Sequence, residues 1–154
     1  MTAQVLPTPD DTRAYGKRLA TVLRAGDLVV LNGPLGAGKT VLTQGIGAGM
    51  GVAGRIVSPT FVIARVHQPS NGAGVPLVHV DAYRLRSLSE VDDLDLDVAM
   101  AGSVVVVEWG GGLVERLADE HLEVRLERLA DSEQRVISLV PHGGGWVARL
   151  QHIG

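Results

Sequence analysis

One short segment constrains this chain more than any other feature: Gly33, Pro34, Leu35, Gly36, Ala37, Gly38, Lys39 and Thr40. It fits the spacing GxxxxGK[ST] and follows the apolar residues 28–31, which predicts a buried strand, a glycine-rich turn and a helix in that order. The glycines let successive main-chain N–H groups point at one anion, and the helix dipole adds positive charge there. We therefore predict a nucleoside triphosphate site, with Lys39 on the β- and γ-phosphates and the Thr40 hydroxyl on Mg²⁺.

Length and composition limit the remaining possibilities. A chain of 154 residues that is 45% hydrophobic is long enough for one packed domain and short for two. A net charge of −3 and a pI near 5.9 give no general attraction to nucleic acid, so any contact with RNA is expected to be indirect. The sequence has no cysteine, no signal-peptide pattern and no apolar run near the roughly 20 residues of a membrane span. We expect a cytoplasmic protein without a membrane segment.

Two helices are predicted around the glycine-rich segment. The first begins at a capping residue, with Thr8, Asp10 and Asp11 as candidates, and ends near Gly26. Its apolar positions recur at helical spacing: Ala14, Leu19, Val22 and Leu23. The second helix follows Lys39 and carries apolar residues together with three glycines at positions 45, 47 and 49. These glycines require either close packing against the sheet or an early helix end, and the sequence leaves both open.

The rest of the chain predicts mostly strands. Residues 61–67 and 77–83 flank a turn and are expected to form an antiparallel pair. Residues 104–107 form a fully apolar strand, and residues 122–126 and 136–140 surround a polar turn as a hairpin. The predicted fold is α/β, a single P-loop NTPase-like domain whose mixed central sheet is flanked by helices. Residues after about 141 are a candidate C-terminal extension.

Two acidic residues end apolar strands and could complete the site. Glu108 follows four valines, and Asp81 follows residues 77–80. Hydrolysis or transfer needs an acid that supports the Mg²⁺ shell or orients water, commonly at the end of a neighbouring strand. The structural alternative for each acid is an N-cap of the next helix. His79, alone in its strand, is interpreted as a hydrogen-bonded core residue and not as a catalytic one.

Three further segments leave alternatives open. Ser58 and Thr60 stand on either side of Pro59, either in a nucleotide-sensing loop or in a simple turn before a strand. Tyr83 and Arg84 either face the nucleotide or a partner, or pack at a strand end. The acidic residues 92–97 lack the glycine and terminal glutamate of a calcium loop, so a helix and a loop are favoured there.

Four motifs in this order resemble the TsaE family, formerly YjeE: the GxxGAGKT segment at 33–40, SPTF at 58–61, HxDxYRL at 79–85 and EW at 108–109. Members are small bacterial P-loop ATPases needed for making threonylcarbamoyladenosine in transfer RNAs that read codons beginning with A. The resemblance implies ATP and Mg²⁺ as cofactors. It also implies the TsaB and TsaD pair as the partner, with tRNA reached only through it, and a separate enzyme, TsaC, as the source of threonylcarbamoyl-adenylate.

The family pattern also implies roles for particular residues. Lys39 and Thr40 serve the phosphates and Mg²⁺, Glu108 is the acid near the metal, and Asp81 is a further acid needed for activity. Ser58 and Thr60 match a switch-like segment that contacts the nucleotide. The segment departs from the family at Pro34 and at Val41, but the main-chain N–H groups of the rest of the segment are still expected to cradle the phosphates.

Other functions compete with a switch ATPase. A small-molecule kinase would need a substrate segment and an arginine-bearing lid, for which Arg65, Arg84 and Arg86 are the nearby candidates. A nucleotide-gated binding module with little turnover is a third possibility. A GTPase is disfavoured because there is no NKxD motif, and direct RNA binding because two tryptophans, two tyrosines and one phenylalanine form no stacking platform. We expect a free monomer that docks on a heterologous partner.

Overall fold

A computed structural model describes residues 3–34, 38–52, 56, 64–70, 72, 74–81, 101–108, 120–129 and 131–153, without the side chain of Asp81. Within these ranges the chain forms strands and helices in this order: β1 Gln4–Leu6, α1 Pro9–Ala20, β2 Leu28–Asn32, α2 Lys39–Met50, β3 Ala64–His67, β4 Leu77–Asp81, β5 Val104–Glu108, β6 His121–Arg128, β7 Arg135–His142 and α3 Gly144–Leu150.

The strands form one mixed sheet in the order β1-β7-β6-β2-β5-β4-β3. Strands β6, β2, β5 and β4 run parallel to one another, β7 and β3 run antiparallel to them, and β1 pairs antiparallel with β7. The predicted α/β fold with a mixed central sheet is confirmed. The antiparallel pair β3–β4 and the hairpin β6–β7 are confirmed as well, within the described residues.

Strand β2 lies in the middle of the sheet and is buried on both faces from Leu28 to Leu31. Leu31 lies opposite Glu108 of β5, and Asp81 of β4 lies opposite the same residue on its other side. Because parallel strands end at one edge of a sheet, the register brings the ends of β2, β4 and β5 together. The segment predicted to bind phosphate starts at this edge.

Helix α1 begins with a capping box in which the Thr8 hydroxyl accepts from the N–H of Asp11, and the Asp11 carboxylate accepts from the N–H of Thr8. The prediction was wrong at the other end, since the helix ends at Ala20 and not near Gly26. The predicted apolar face was also partly wrong, because Ala14 is exposed. The buried face follows the spacing i, i+3, i+4, i+7, i+8 through residues of mixed polarity: Thr12, Tyr15, Gly16, Leu19 and Ala20.

Helices α1 and α2 pack so closely that their backbones touch. A Cβ atom on Gly45 would lie 2.2 Å from the carbonyl oxygen of Arg13, and one on Gly16 would lie 2.6 Å from that of Leu42. Helix α2 continues through its glycines to Met50, so close packing, and not an early end, explains them. The expected packing partner, the sheet, was wrong at Gly45 and Gly49, where the close neighbour is α1.

Two elements at the chain ends were not predicted. Strand β1 pairs with β7, with Leu6 opposite Arg135, and only its last residue is buried. Helix α3 places Trp146 and Leu150 in the same core cluster as the strands and α1. A three-residue strand and a two-turn helix are too short to give a periodic signal in sequence.

None of the helices in the described ranges is long and apolar enough to cross a membrane.

Candidate nucleotide site at the carboxyl edge of the sheet

The N-terminus of α2 is built without a side-chain cap. Gly38 is the N-cap residue and has a left-handed φ of 101°, a conformation that favours glycine over residues with a Cβ. The first intrahelical bond runs from the N–H of Leu42 to the carbonyl of Gly38 at 2.9 Å. The N–H groups of Lys39, Thr40 and Val41 precede that bond and therefore have no intrahelical acceptor. Such a helix end suits an anion.

The Lys39 ammonium lies over the start of the same segment. Its Nζ donates to the carbonyl oxygen of Gly33 at 2.7 Å and to that of Pro34 at 3.1 Å, and the residue is only 7% exposed. The lysine thus bridges the strand end and the helix start across the predicted phosphate-binding segment. An anion bound at the helix end would meet this buried positive charge.

Glu108 connects the helix to the neighbouring strand. Its Oε1 accepts from the Thr40 hydroxyl at 3.2 Å and lies 3.2 Å from Nε2 of His79, which is completely buried. Since an ionised carboxylate only accepts hydrogen bonds, His79 donates from Nε2. Three residues from α2, β4 and β5 therefore meet at one oxygen atom.

The charge of Glu108 is set by opposing effects. Burial raises the pKa of its carboxyl, but the hydrogen bond and charge of His79, the Thr40 hydroxyl and the Lys39 ammonium together lower it by more than burial raises it. The net pKa lies below the ordinary value, so Glu108 is a carboxylate at neutral pH.

Thr40 and Glu108 are chemically suited to Mg²⁺. Both offer hard oxygen ligands, and their oxygens are 3.2 Å apart. Neighbouring ligands of an octahedron with bonds of about 2.0–2.1 Å lie about 2.9 Å apart. The pair thus fits two adjacent positions in a magnesium shell, or one direct and one water-mediated position.

The other predicted site residues divide into two groups. Gly33, Pro34, Gly38 and Val41 lie at the segment and the first turn of α2, and the backbone of Asp81 ends β4 opposite Glu108. The remaining ones lie outside the described residues: Leu35, Gly36, Ala37, Ser58 and Thr60. The same holds for Tyr83, Arg84, Arg86, Trp109 and the acidic residues 92–97.

His79 is the contact that sequence reasoning undervalued, although its interpretation as a buried hydrogen-bonded residue agrees with the structure. Its position two residues before Asp81 was the available signal, since alternate residues of a strand share one face. Its Nδ1 atom is buried and has no hydrogen-bond partner among the described residues.

A second polar cluster was also missed. Glu123 of β6 accepts from the amide of Asn32 at 3.0 Å and from Nε of Arg125 at 2.6 Å, and its Oε1 lies 3.2 Å from Nε2 of His142. Asn32 is the last residue of β2, directly before Gly33. The cluster therefore ties three strands together at the point where the segment predicted to bind phosphate begins.

The fold and these contacts define a class: an α/β protein with an open helix N-terminus, a buried lysine and a carboxylate on the adjacent parallel strand. Comparison with known proteins identifies the family within this class. The family model described as threonylcarbamoyl adenosine biosynthesis protein TsaE matches residues 6–137. The chain belongs to the TsaE family, which acts in the biosynthesis of threonylcarbamoyladenosine in tRNA.

Individual relatives agree with this assignment. The TsaE protein of Streptomyces coelicolor is 56% identical over 138 residues, covering 87% of this chain and 93% of the relative. The TsaE protein of Mycobacterium tuberculosis is 55% identical over 137 residues, covering 85% and 82%. A crystal structure of Bacillus subtilis YdiB is 28% identical with a TM-score of 0.78, covering 99% of this chain and 93% of that one. The resemblance inferred from the four motifs is confirmed.

Proposed function

We propose that this protein is a Mg²⁺-dependent ATPase that acts as a switch on the TsaB and TsaD pair in the cytoplasm. Binding of ATP would favour docking of this protein on that pair. Hydrolysis or release of the nucleotide would then reset the complex for another transfer of threonylcarbamoyl to adenosine beside the tRNA anticodon. The observation that carries the proposal is the meeting of Thr40 and Glu108 at the uncapped start of α2, with Lys39 above it.

Each residue would have a distinct task. The N–H groups of the segment from Gly33 to Val41, except Pro34, which has none, would donate to the phosphates. Lys39 would exchange its carbonyl partners for oxygens of the β- and γ-phosphates. Thr40 and Glu108 would hold the magnesium shell, and Mg²⁺ when bound would neutralise charge on the β- and γ-phosphates. Asp81 is proposed as the second acid, because its strand position lies directly beside Glu108.

His79 would keep the Glu108 carboxylate in place. A carboxylate held by a buried imidazole and a threonine hydroxyl has few orientations left, so the oxygen near Thr40 stays where a metal shell requires it. In this role His79 is a positioning residue.

The switch itself is proposed to involve Ser58 and Thr60. Loss of the γ-phosphate and its metal would release a segment that these groups had held, which is the general way in which nucleotide hydrolysis changes a docking surface.

The decisive experiment is ATP hydrolysis by the purified protein, alone and with TsaB and TsaD, with Lys39→Ala as the control. Slow turnover that rises with the partners and disappears in Lys39→Ala supports the proposal. Multiple turnover retained in Lys39→Ala would contradict it. Stimulation by a metabolite, with no effect of the partners, would favour the small-molecule kinase instead.

A further inference from the structure

The Lys39 ammonium is held by the backbone just after β2. Its Nζ atom donates to the carbonyl oxygen of Gly33 at 2.7 Å and to that of Pro34 at 3.1 Å. The place of a carbonyl group depends on the backbone torsions on both sides of it. The place of the ammonium therefore depends on whatever restricts the backbone of residues 32–34.

Asn32 restricts this backbone from the side of the strand. It is the last residue of β2 and lies opposite Arg125 in the parallel pairing of β2 with β6. Its side-chain Nδ2 donates to Oε2 of Glu123 at 3.0 Å, so Asn32 is held through its side chain as well as through the sheet. Gly33 follows directly, and neighbouring Cα atoms are only about 3.8 Å apart, so a fixed Asn32 limits where the carbonyl of Gly33 can lie.

The Glu123 carboxylate is a firm anchor for this amide. Its side chain is only 12% exposed, and it also accepts from Nε of Arg125 at 2.6 Å and from Nε2 of His142 at 3.2 Å. Burial raises the pKa of the carboxyl, but its hydrogen bonds and the charge of Arg125 lower it from 4.5 to about 2, so it is ionised at neutral pH. Donors from β2, β6 and β7 leave this carboxylate few other orientations.

Pro34 restricts the same backbone from the side of the glycine-rich segment. A proline ring holds its own φ near about −65°, and it also disfavours helical torsions at the residue before it, which is Gly33. Without that ring, Gly33 would have the full torsional freedom of a glycine. Pro34 is exposed, so burial does not explain it. At this position the segment departs from the family pattern, and the departure stiffens the backbone beside the lysine.

A lysine that is already in place loses less side-chain freedom when it engages a ligand. We propose that Asn32, anchored by Glu123, and Pro34 are positioning residues for Lys39, because they fix the two carbonyl groups that hold its ammonium. They act through the backbone and are not catalytic residues. The consequence for affinity rests on the proposed nucleotide binding, whereas the placement of the ammonium can be tested without it.

Nuclear magnetic resonance of the lysine ammonium groups measures this placement directly. Lys17 and Lys39 are the only lysines of the chain, and Lys17 is exposed. At about pH 6 both are charged, and a held, buried ammonium exchanges its hydrogens with water more slowly than an exposed one. We expect a slowly exchanging ¹⁵N ammonium signal in the wild type that Lys39→Arg removes. Exchange should be about tenfold faster in Asn32→Ala and about threefold faster in Pro34→Ala.

His142→Ala is the matched control, because it removes another donor to the same carboxylate. His142 lies opposite His121 at the start of β6, away from the edge where Gly33 begins. This variant should change the exchange of the Lys39 ammonium by less than about twofold. Equal acceleration in His142→Ala and Asn32→Ala would mean that the sheet is loosened in general, and this would overturn the proposal. Absence of a slow Lys39 signal in the wild type, or unchanged exchange in Asn32→Ala, would overturn it as well.

The folding of the variants is controlled separately. Asn32→Ala leaves Glu123 with Arg125 and His142 as partners, so its charge stays paired. Urea unfolding would establish that Asn32→Ala and His142→Ala are folded under the conditions of the exchange measurement. Pro34→Ala changes an exposed position and provides a variant that leaves the Glu123 cluster intact.

Isothermal titration calorimetry with ATP and Mg²⁺ tests the consequence for binding. We expect Asn32→Ala and Pro34→Ala to weaken ATP binding about fivefold to tenfold, and His142→Ala to weaken it less than about twofold. Faster exchange of the Lys39 ammonium with unchanged ATP affinity would refute the positioning role. A wild-type protein that holds Lys39 and does not bind ATP would instead refute the proposed nucleotide binding.

Discussion

The Nε2 atom of His79 lies 3.2 Å from Oε1 of Glu108, and the two residues come from neighbouring parallel strands. Neither strand alone would define a site. The parallel register places a buried imidazole and a carboxylate together, and the first turn of α2 adds the Thr40 hydroxyl to the same oxygen. The site is therefore a product of the sheet as much as of the glycine-rich segment.

Replacing Glu108 by glutamine should separate binding from turnover. The variant keeps the shape of the side chain and loses the charge that is proposed to support the magnesium shell. We expect ATP hydrolysis to fall by about 10²–10³ and ATP affinity to change by less than about tenfold. Single-turnover hydrolysis and calorimetry would measure the two quantities. Equal losses in both would indicate a structural role for this carboxylate.

Replacing Gly45 by alanine should destabilise the protein through the contact between α1 and α2. The new Cβ would lie 2.2 Å from the carbonyl oxygen of Arg13, which the backbone can relieve only by moving the helices apart. We expect a loss of about 1–3 kcal/mol or more in the free energy of unfolding. Urea denaturation measures it.

Gly102→Ala is the matched control, because a Cβ there would have no neighbour within 4 Å among the residues that the structure describes. It should change stability by less than about 0.5 kcal/mol. A Gly45→Ala protein as stable as this control would contradict the close packing of the two helices.

Much of this architecture could be predicted from local sequence. The apolar runs at β2 and β5 and the polar turn between β6 and β7 are strong signals, and each lies where the pattern predicted it. The glycines of α2 could not be interpreted, because the main reason for them is a partner helix that is distant in sequence. Helix α1 was predicted too long because Val22 and Leu23 continue an apolar pattern after the helix has ended.

The candidate site, like the fold, could be predicted only where the signal lies within one segment. Lys39, Thr40 and Glu108 each follow a signal within their own segment, whereas the contact between Glu108 and His79 depends on strand order. Strand order arises from long-range pairing that residue patterns do not encode. The same holds for Asn32, whose contact with Glu123 depends on the parallel pairing of β2 with β6.

Removing Arg149 should destabilise the protein strongly. Its guanidinium pairs with both carboxylate oxygens of Asp27, bonds the carbonyl of Val22 and lies 4.0 Å from the ring centroid of Trp146. The side chains of Arg149 and Asp27 are only 16% and 10% exposed. Loss of one partner leaves a mostly buried charge, so Arg149→Met should lower the free energy of unfolding by about 3–5 kcal/mol.

A double-mutant cycle with Asp27→Asn would test whether the pair is responsible. The double variant should be less destabilised than the sum of the single ones, because neither charge is then left alone. Additive losses in thermal or urea unfolding would mean that Arg149 stabilises α3 through packing on Trp146 instead.

Glu123 should make stability depend on pH below neutrality. Burial raises the pKa of its carboxyl, but the hydrogen bonds from Arg125, Asn32 and His142 and the charge of Arg125 lower it from 4.5 to about 2. The pKa of Glu123 is lower in the folded protein than in the unfolded chain, so its carboxylate stabilises the fold. This contribution to the free energy of unfolding is complete above the unfolded pKa of 4.5 and is lost as the pH falls towards about 2. Because Arg125 is 58% exposed, solvent screening reduces the contribution to about 1–2 kcal/mol.

Urea unfolding of the wild type and Glu123→Gln between pH 7 and pH 3 would measure this contribution. The wild type should be more stable by a constant amount from pH 7 to about 5, and the difference should shrink steadily towards pH 3, since protonation makes the wild-type side chain neutral as well. Glu127→Gln, at an exposed position of the same strand, serves as the control and should show little difference at any pH. A gap between wild type and Glu123→Gln that stayed constant down to pH 3 would show that the Glu123 charge is not what joins β2, β6 and β7.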